Sequence, residues 1–248
     1  MTAAVDADEK LWEVLDWDSG FFGRRIARLV QPRLTARVLA MTQAWMEGNQ
    51  IECLYFRCSS TDTQSITLAE QHGFHLVDIR VTLERQSANS VCFPGEGLPV
   101  LRARPEQAAQ LQAIARASHR DARFYQDSHF DTTRCDELYA AWIENSYGGY
   151  ADAVFACELE QSAAGYVTCH LEGHAAGRIG LLAVSENARR RGVGSALVKA
   201  ALEWFRARQR LHVSVVTQGR NIGSQRLYQR CGFVTSSVDL SYHYWATA

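Results

Sequence analysis

No apolar run in this 248-residue chain is long enough to span a bilayer, because Arg, Glu, Gln or Gly interrupts each one. Charge of one sign is also lacking: 26 Lys and Arg face 27 Asp and Glu, a formal net charge of -1. A nucleic-acid binder normally shows a basic balance or stripe, so that class drops out. The seven cysteines (Cys53, Cys58, Cys92, Cys135, Cys157, Cys169, Cys231) are odd in number and scattered, with no CxxC pair. A disulfide framework and a structural zinc site lose their basis, and no metal is expected. Reduced core thiols in a cytoplasmic protein are the expectation. The opening MTAAVDADEK is acidic and has no apolar core, so residues 1–10 read as a frayed tail and not as a secretory signal. Two phosphate fingerprints are missing as well. No lysine stands in GxxxxGK[ST] spacing, and Gly192-Val193-Gly194 leads to Leu197 where a third dinucleotide glycine would stand.

What is present is the composition of an ordinary soluble globule, 47% hydrophobic and 21% charged. The length admits one large domain or two small ones. LWEVLDW and RIARLV read as strands flanking the turn-like DSGFFGR. A helix is expected from Thr35 to a Gly stop, then the buried strand IECLYFRC, then a capped helix from Thr61 to Gly73. HLVDIRVTLER alternates, with Val77, Ile79, Val81 and Leu83 on one side and Asp78, Arg80 and Thr82 on the other. Turn formers crowd QSANSVCFPGEG, from Gln86 to Gly97, which marks a linker. The expected organisation is an N-terminal domain over 11–90 and a second over 98–248.

The second unit reads as strand, helix (opened by Pro105), an aromatic and charged loop, helix, three strands, helix, strand, short helix and closing strands. That order is α+β, with too few βα alternations for a doubly wound sheet. The halves also resemble each other. Matching Gly73-Phe74 to Gly232-Phe233 lays Asp62 on Asn221 and Ala69 on Tyr228. Nothing like RRRGVG precedes the first copy, so only the second copy is equipped for chemistry.

The stretch ARRRGVGSALVKAALEWF, Ala188 to Phe205, puts three arginines and two glycines at the mouth of an amphipathic helix. A helix N-terminus offers unmet N–H groups and the positive end of its dipole. Glycines let the backbone come close to a ligand, and arginines add charge and forked donors. Two readings stay open on these residues alone: a pyrophosphate cradle, or a solvated basic helix start.

Arg189-x-x-Gly192-x-Gly194, after the strand IGLLAV and before a long helix, resembles the coenzyme A signature of the GNAT superfamily of N-acetyltransferases. PVLRARPEQAAQLQAIA and the closing LYQRCGF resemble that fold's ends. LDWDSGFFG, ARFYQDSHFD, YAAWIENS and RIGLLAV are similar to segments of the TDP-fucosamine acetyltransferase family. The resemblance implies a mixed, mostly antiparallel GNAT sheet flanked by helices, preceded by a smaller degenerate GNAT-like half. It implies acetyl transfer from acetyl-CoA to the 4-amino group of a nucleotide-linked deoxy sugar, as in polysaccharide antigen biosynthesis. Leu182, Ala183 and Val184 would then border pantetheine and thioester. Arg189, Arg190, Arg191, Gly192, Val193, Gly194 and Ser195 would hold the pyrophosphate. Tyr228 would be the acid that protonates the leaving thiolate, since a phenol stays protonated at neutral pH. Asn221 caps the last helix, contacts the coenzyme, or both.

No side chain stands out as the base for the amine; Asp78 is one candidate, and water-mediated proton loss is the other route. His119 and His129 flank RDARFYQDSHF and read as solvated loop histidines. His170 and His174 show no ligand spacing, and Tyr139 and Trp142 read as core. Arg123, Phe124, Tyr125 and Asp127 combine a cation, two rings and an acid suited to a nucleotide-sugar; the rival reading is a lid whose aromatics fill the core. The aromatic closing segment SYHYWATA either pairs across a homodimer or finishes the sheet. Acceptors other than an amino sugar, and a non-catalytic acyl-CoA sensor, are the competing functions.

Overall fold

A computed structural model of the chain describes residues 10–86 and 97–246. Most of the expected linker, and the first nine residues, lie outside the described residues. The chain forms two compact units, Met1–Ile79 with Val238–Ala248, and Arg80–Ser237.

In the first unit, strands β1 (Trp12–Val14) and β2 (Ile26–Leu29) enclose a helix, α1 (Asp16–Phe22). The sequence reads that segment as a turn. It is a helix because Asp16 and Asp18 sit in its first turn, where the dipole favours acids, and Gly23 ends it with φ 64°. Helix α2 (Ala36–Gly48) starts at Thr35, whose side chain accepts from Val38 N–H. Strand β3 (Cys53–Ser59) lies parallel to β2, and helix α3 (Thr63–Gln71) follows under an Asp62 cap. The core collects Leu34, Leu39, Met46, Leu54, Phe56 and Ala69.

The chain leaves this unit along β4 (His75–Gln86). Its alternation breaks there: Asp78 is buried and Ile79 exposed, against the expected facing of both. In the second unit β5 (Val100–Arg102), β6 (Ala153–Leu159), β7 (Ser162–Glu172) and β8 (Ala176–Val184) form an antiparallel series. Strand β9 (His212–Gln218) joins β8 in parallel and takes Arg80–Gln86 of β4 on its other side. Helices α4 (Ala108–Ala117) and α5 (Thr132–Asn145) precede the strands β6–β8, and α6 (Val193–Arg206) and α7 (Ile222–Arg230) follow them. On α6, Val193, Leu197, Val198, Ala201, Leu202 and Phe205 are buried, the 3–4 spacing of one helix face. Each large member of that stripe contributes about 1.5–3 kcal/mol. The fold is the expected GNAT-type α+β arrangement.

Strand β10 (Val234–Trp245) closes the chain, and its Asp239–Trp245 stretch pairs antiparallel with β3 in the first unit. The closing aromatic strand therefore finishes a sheet of its own chain. Asp239–Trp245 thus belongs to the first unit, and Arg80–Gln86 of β4 to the second. These units do not follow the expected division at residues 90–98, because strand pairing and chain order part company at β4 and β10.

The internal repeat has a structural counterpart. Strand, helix and strand run seven, nine and twelve residues in β3-α3-β4 and again in β9-α7-β10. Asp62 caps α3 through Ser65 N–H, and Asn221 caps α7 through Ser224 N–H. Gly73 and Gly232 both hold positive φ, 79° and 82°. Six cysteines are buried and free of disulfides, and burial pushes the Cys58, Cys135 and Cys231 thiols up to about 11.

Candidate active site

Strands β8 and β9 pair only from Ala176–Ile179 to His212–Val215. Both continue, β8 to Val184 and β9 to Gln218, without further pairing to each other among the described residues. The separation begins where β8 bulges. Val167 faces Leu182 and Cys169 faces Ile179, so Thr168 alone opposes Gly180 and Leu181. An extra residue bends its strand and increases its twist. The Leu181 N–H is met by Thr168 Oγ1 at 2.8 Å, so the irregular backbone is not left unsatisfied. Beyond it, Leu182–Val184 stay bonded to β7 and turn their other edge to an opening.

That opening is a cleft of about 850 Å³. Leu182, Ala183 and Val184 line one side, Arg189, Arg190, Gly192, Gly194 and Ser195 its mouth, and Asn221, Gly223, Ser224, Leu227 and Arg230, at the start and along α7, another side. The mouth is built by two left-handed residues, Arg190 at φ 60° and Gly192 at φ 85°. No side chain caps the first turn of α6, so its leading N–H groups are free for an anion. Gly192 is required by its φ. Gly194 has a different reason: an added Cβ would sit 3.0 Å from Leu227 Cδ2, so this glycine admits α7 against α6.

Nine of the eleven expected coenzyme residues line this cleft. Arg191 instead reaches Glu160 at 3.5 Å, and Val193 is buried in the core. Asn221 caps α7 and also lines the cleft. Tyr228 is buried beside the lining residue Leu227, edge-on to Phe233 at 5.7 Å. Burial pushes its phenol up, which keeps the proton on it. Asp78 belongs to the first unit and is not among the lining residues.

The loop expected to grip an acceptor is used differently. Phe124 is buried, edge-on to Phe130 at 5.4 Å. Tyr125 donates to Asp136 Oδ1 at 2.7 Å, and Arg120 covers its ring at 5.1 Å. Asp127 is buried and bonded to His129 Nδ1 at 2.8 Å, and Arg123 lies 4.7 Å over the Phe124 ring. None of Arg123, Phe124, Tyr125 and Asp127 lines the cleft. Their rings and charges hold the loop, as the core-filling alternative has it.

One part of the lining was not read from the sequence. It is Ala117, Ser118, His119, Arg120 and Asp121, at the end of α4. His119 is half-buried: its ring stacks on Tyr139 at 4.4 Å, and its Nε2 lies 3.2 Å from the Tyr166 hydroxyl. Burial lowers its pKa to about 4. His119 lies two residues beyond the end of α4, past an extended Ser118, so no helical spacing marks it in the sequence. Among the described residues, no group of three His, Cys, Asp or Glu side chains is placed to hold a metal, and no helix is long and apolar enough to cross a membrane.

A sheet parted between two parallel strands, with an arginine-rich helix mouth at the gap, defines an acyl-transferring enzyme. Residues 111–233 match the acetyltransferase (GNAT) family: the chain carries a GNAT acetyltransferase domain, of a family that uses acetyl-CoA. The dTDP-fucosamine acetyltransferase of Escherichia coli O6:H1 is 28% identical over 89% of this chain and 92% of its own. The spore coat polysaccharide biosynthesis protein SpsD of Bacillus subtilis is 26% identical over 59% of this chain and 52% of its own. A GCN5-related N-acetyltransferase from Sphaerobacter thermophilus shares the fold, with a TM-score of 0.67 at 16% identity, over 94% of this chain and 76% of its own.

Proposed function

We propose that the protein transfers the acetyl group of acetyl-CoA to the amino group of a nucleotide-linked amino-deoxy sugar of the dTDP-fucosamine type. The observation that carries this reading is the gap between β8 and β9, closed by the Arg189–Ser195 mouth of α6. The exposed edge of Leu182–Val184 bonds the amides of the pantetheine arm as a neighbouring strand would. Arg189, Arg190 and the N–H groups of Gly192, Gly194 and Ser195 take the pyrophosphate. The gap directs the thioester between the two strands.

The amine then attacks the thioester carbonyl directly in a ternary complex, and rate comes from positioning and charge stabilisation. The nitrogen forms a bond to the carbonyl carbon, the carbon–sulfur bond breaks, and the thiolate takes the Tyr228 proton. The ammonium sheds one proton to water before it attacks, and the second proton that the nitrogen loses on becoming the amide restores the Tyr228 phenol by way of water. The nucleotide-sugar acceptor rests on the named relatives, whose activities belong to sugar and polysaccharide synthesis.

Calorimetric titration with acetyl-CoA, followed by thiol release with a panel of dTDP- and UDP-linked amino sugars, tests both parts. Tight binding and release with a dTDP-4-amino-4,6-dideoxyhexose are expected. Release only with polyamines, peptides or antibiotics would move the acceptor elsewhere. Binding without release from any amine would favour a sensor, and no binding at all would remove the proposal.

A further inference from the structure

His119 is held against its own backbone preference. Its φ of 62° is left-handed, a region that non-glycine residues seldom adopt and that gathers at functional sites. The ring is nearly parallel to Tyr139, at 14°, and tied at Nε2 to Tyr166. Tyr166 is wholly buried, and Tyr139 is 5% exposed. A ring stacked on one face and bonded at one nitrogen has one orientation. Its other nitrogen, Nδ1, makes no hydrogen bond among the described residues, and the residue lines the cleft shared with Leu182–Val184.

Tyr166 fixes the tautomer. Burial pushes its phenol up, so the hydroxyl proton is retained, and Nε2 of His119 is its one hydrogen-bond partner among the described residues. A buried donor left unmet is more costly than a made bond is favourable, so the O–H points at Nε2. The imidazole is neutral at physiological pH, because burial disfavours its charged form. Its single proton therefore sits on Nδ1. Such a ring donates a hydrogen bond from Nδ1 and has no lone pair there to act as a base.

We propose that Nδ1–H of His119 donates a hydrogen bond to the acyl carbonyl oxygen of the bound coenzyme, adding a side-chain donor to the main-chain edge of β8. The placement rests on the proposed function, which lays the thioester along Leu182–Val184. Tyr166 is the cross-strand partner of Ala183, so the ring is tied to the strand that carries the thioester. Negative charge grows on that oxygen as the amine attacks, and a fixed neutral donor meets it without a charge of its own to desolvate.

The test is the carbon-13 resonance of carbonyl-labelled acetyl-CoA bound to the full chain, read with no acceptor present. Wild type moves it downfield from its free position, and H119A and H119Q return it toward the free value. H119N keeps most of the shift, because its side-chain NH₂ overlies Nδ1 and Asn tolerates the left-handed backbone. Y166F, which frees the tautomer, weakens the shift while the ring remains. Thermal melts establish that each variant is folded. With acceptor, kcat falls about 10²–10³-fold in H119A, the effect of losing one oxyanion donor, with partial recovery in H119N.

An H119A shift equal to wild type overturns the inference. So does a folded H119N as depleted as H119A, since only a base would be lost equally in both. A wild type that ignores acetyl-CoA removes this inference together with the proposed function. A wild type that binds it but acetylates no nucleotide-sugar corrects the acceptor alone, and the shift still decides the role of His119.

Discussion

Substituting Gly165 with Ala tests whether β8 is the floor of the cleft. Gly165 lies on β7 opposite Val184. A Cβ there would stand 2.6 Å from the Ala183 carbonyl oxygen, 3.2 Å from Val184 Cα and 3.1 Å from Leu197 Cδ1. The leucine can rotate away, but the other two atoms are main chain. Carbon–oxygen contacts between strands settle at about 3.3 Å, so one strand must yield by about 0.7 Å. Overpacking of this kind costs about 1–3 kcal/mol. At about 2–4 °C per kcal/mol for a chain of this size, the melting temperature should fall by about 2–12 °C. The displacement falls on Ala183 and Val184, so the two main-chain bonds that the proposed function gives the coenzyme there should lengthen together. At about 0.5–1.5 kcal/mol each, acetyl-CoA affinity should drop about 5- to 150-fold. Calorimetry and thermal melting measure both, with Gly148→Ala, which meets nothing within 4 Å, as control. A G165A protein that melts with wild type and binds acetyl-CoA equally well would refute the reasoning.

Replacing Arg189 and Arg190 together with Ala should weaken acetyl-CoA binding at least tenfold, since bonds to charged groups contribute about 1.5–3 kcal/mol each, and should flatten its salt dependence on titration. Tyr228→Phe should leave acetyl-CoA affinity unchanged and lower kcat about 10²–10⁴-fold in the thiol-release assay. His119 carries a depressed pKa, about 4 against 6.5. Between those values the unfolded chain binds the extra proton, so stability is full above pH 6.5 and is lost toward pH 4. The H119N protein should lose about 3 kcal/mol less than wild type across that window in urea titrations; parallel losses would show the imidazole to be solvated.

The local signals in the sequence were strong where the structure follows local rules. The Gly stops at Gly73 and Gly232, the caps Asp62 and Asn221, and the face of α6 all mark their elements directly. Helix α1 was hidden because Asp, Ser and Gly are also turn formers, and none of its residues is buried enough to impose a helical period. Asp78 and Ile79 defeat the alternation rule where β4 passes from one compact unit to the other. The Phe124–Asp127 loop offered the right chemistry for a ligand, but its groups are taken up by Phe130, Asp136 and His129. His119 was passed over because its packing depends on Tyr139 and Tyr166, which only folding brings to it.

A first unit built from two distant stretches of chain sets a timetable for synthesis. Residues 239–245 are made after the whole of the second unit, yet they are the neighbours of β3, whose Leu54 and Phe56 belong to the first core. At about 5–20 residues per second, the ribosome takes roughly 10–40 s between the two. For that interval the nascent N-terminal half presents an open apolar strand edge, the kind chaperones hold. Synthesis of β10, and not emergence of the first half, is the event that lets this half close.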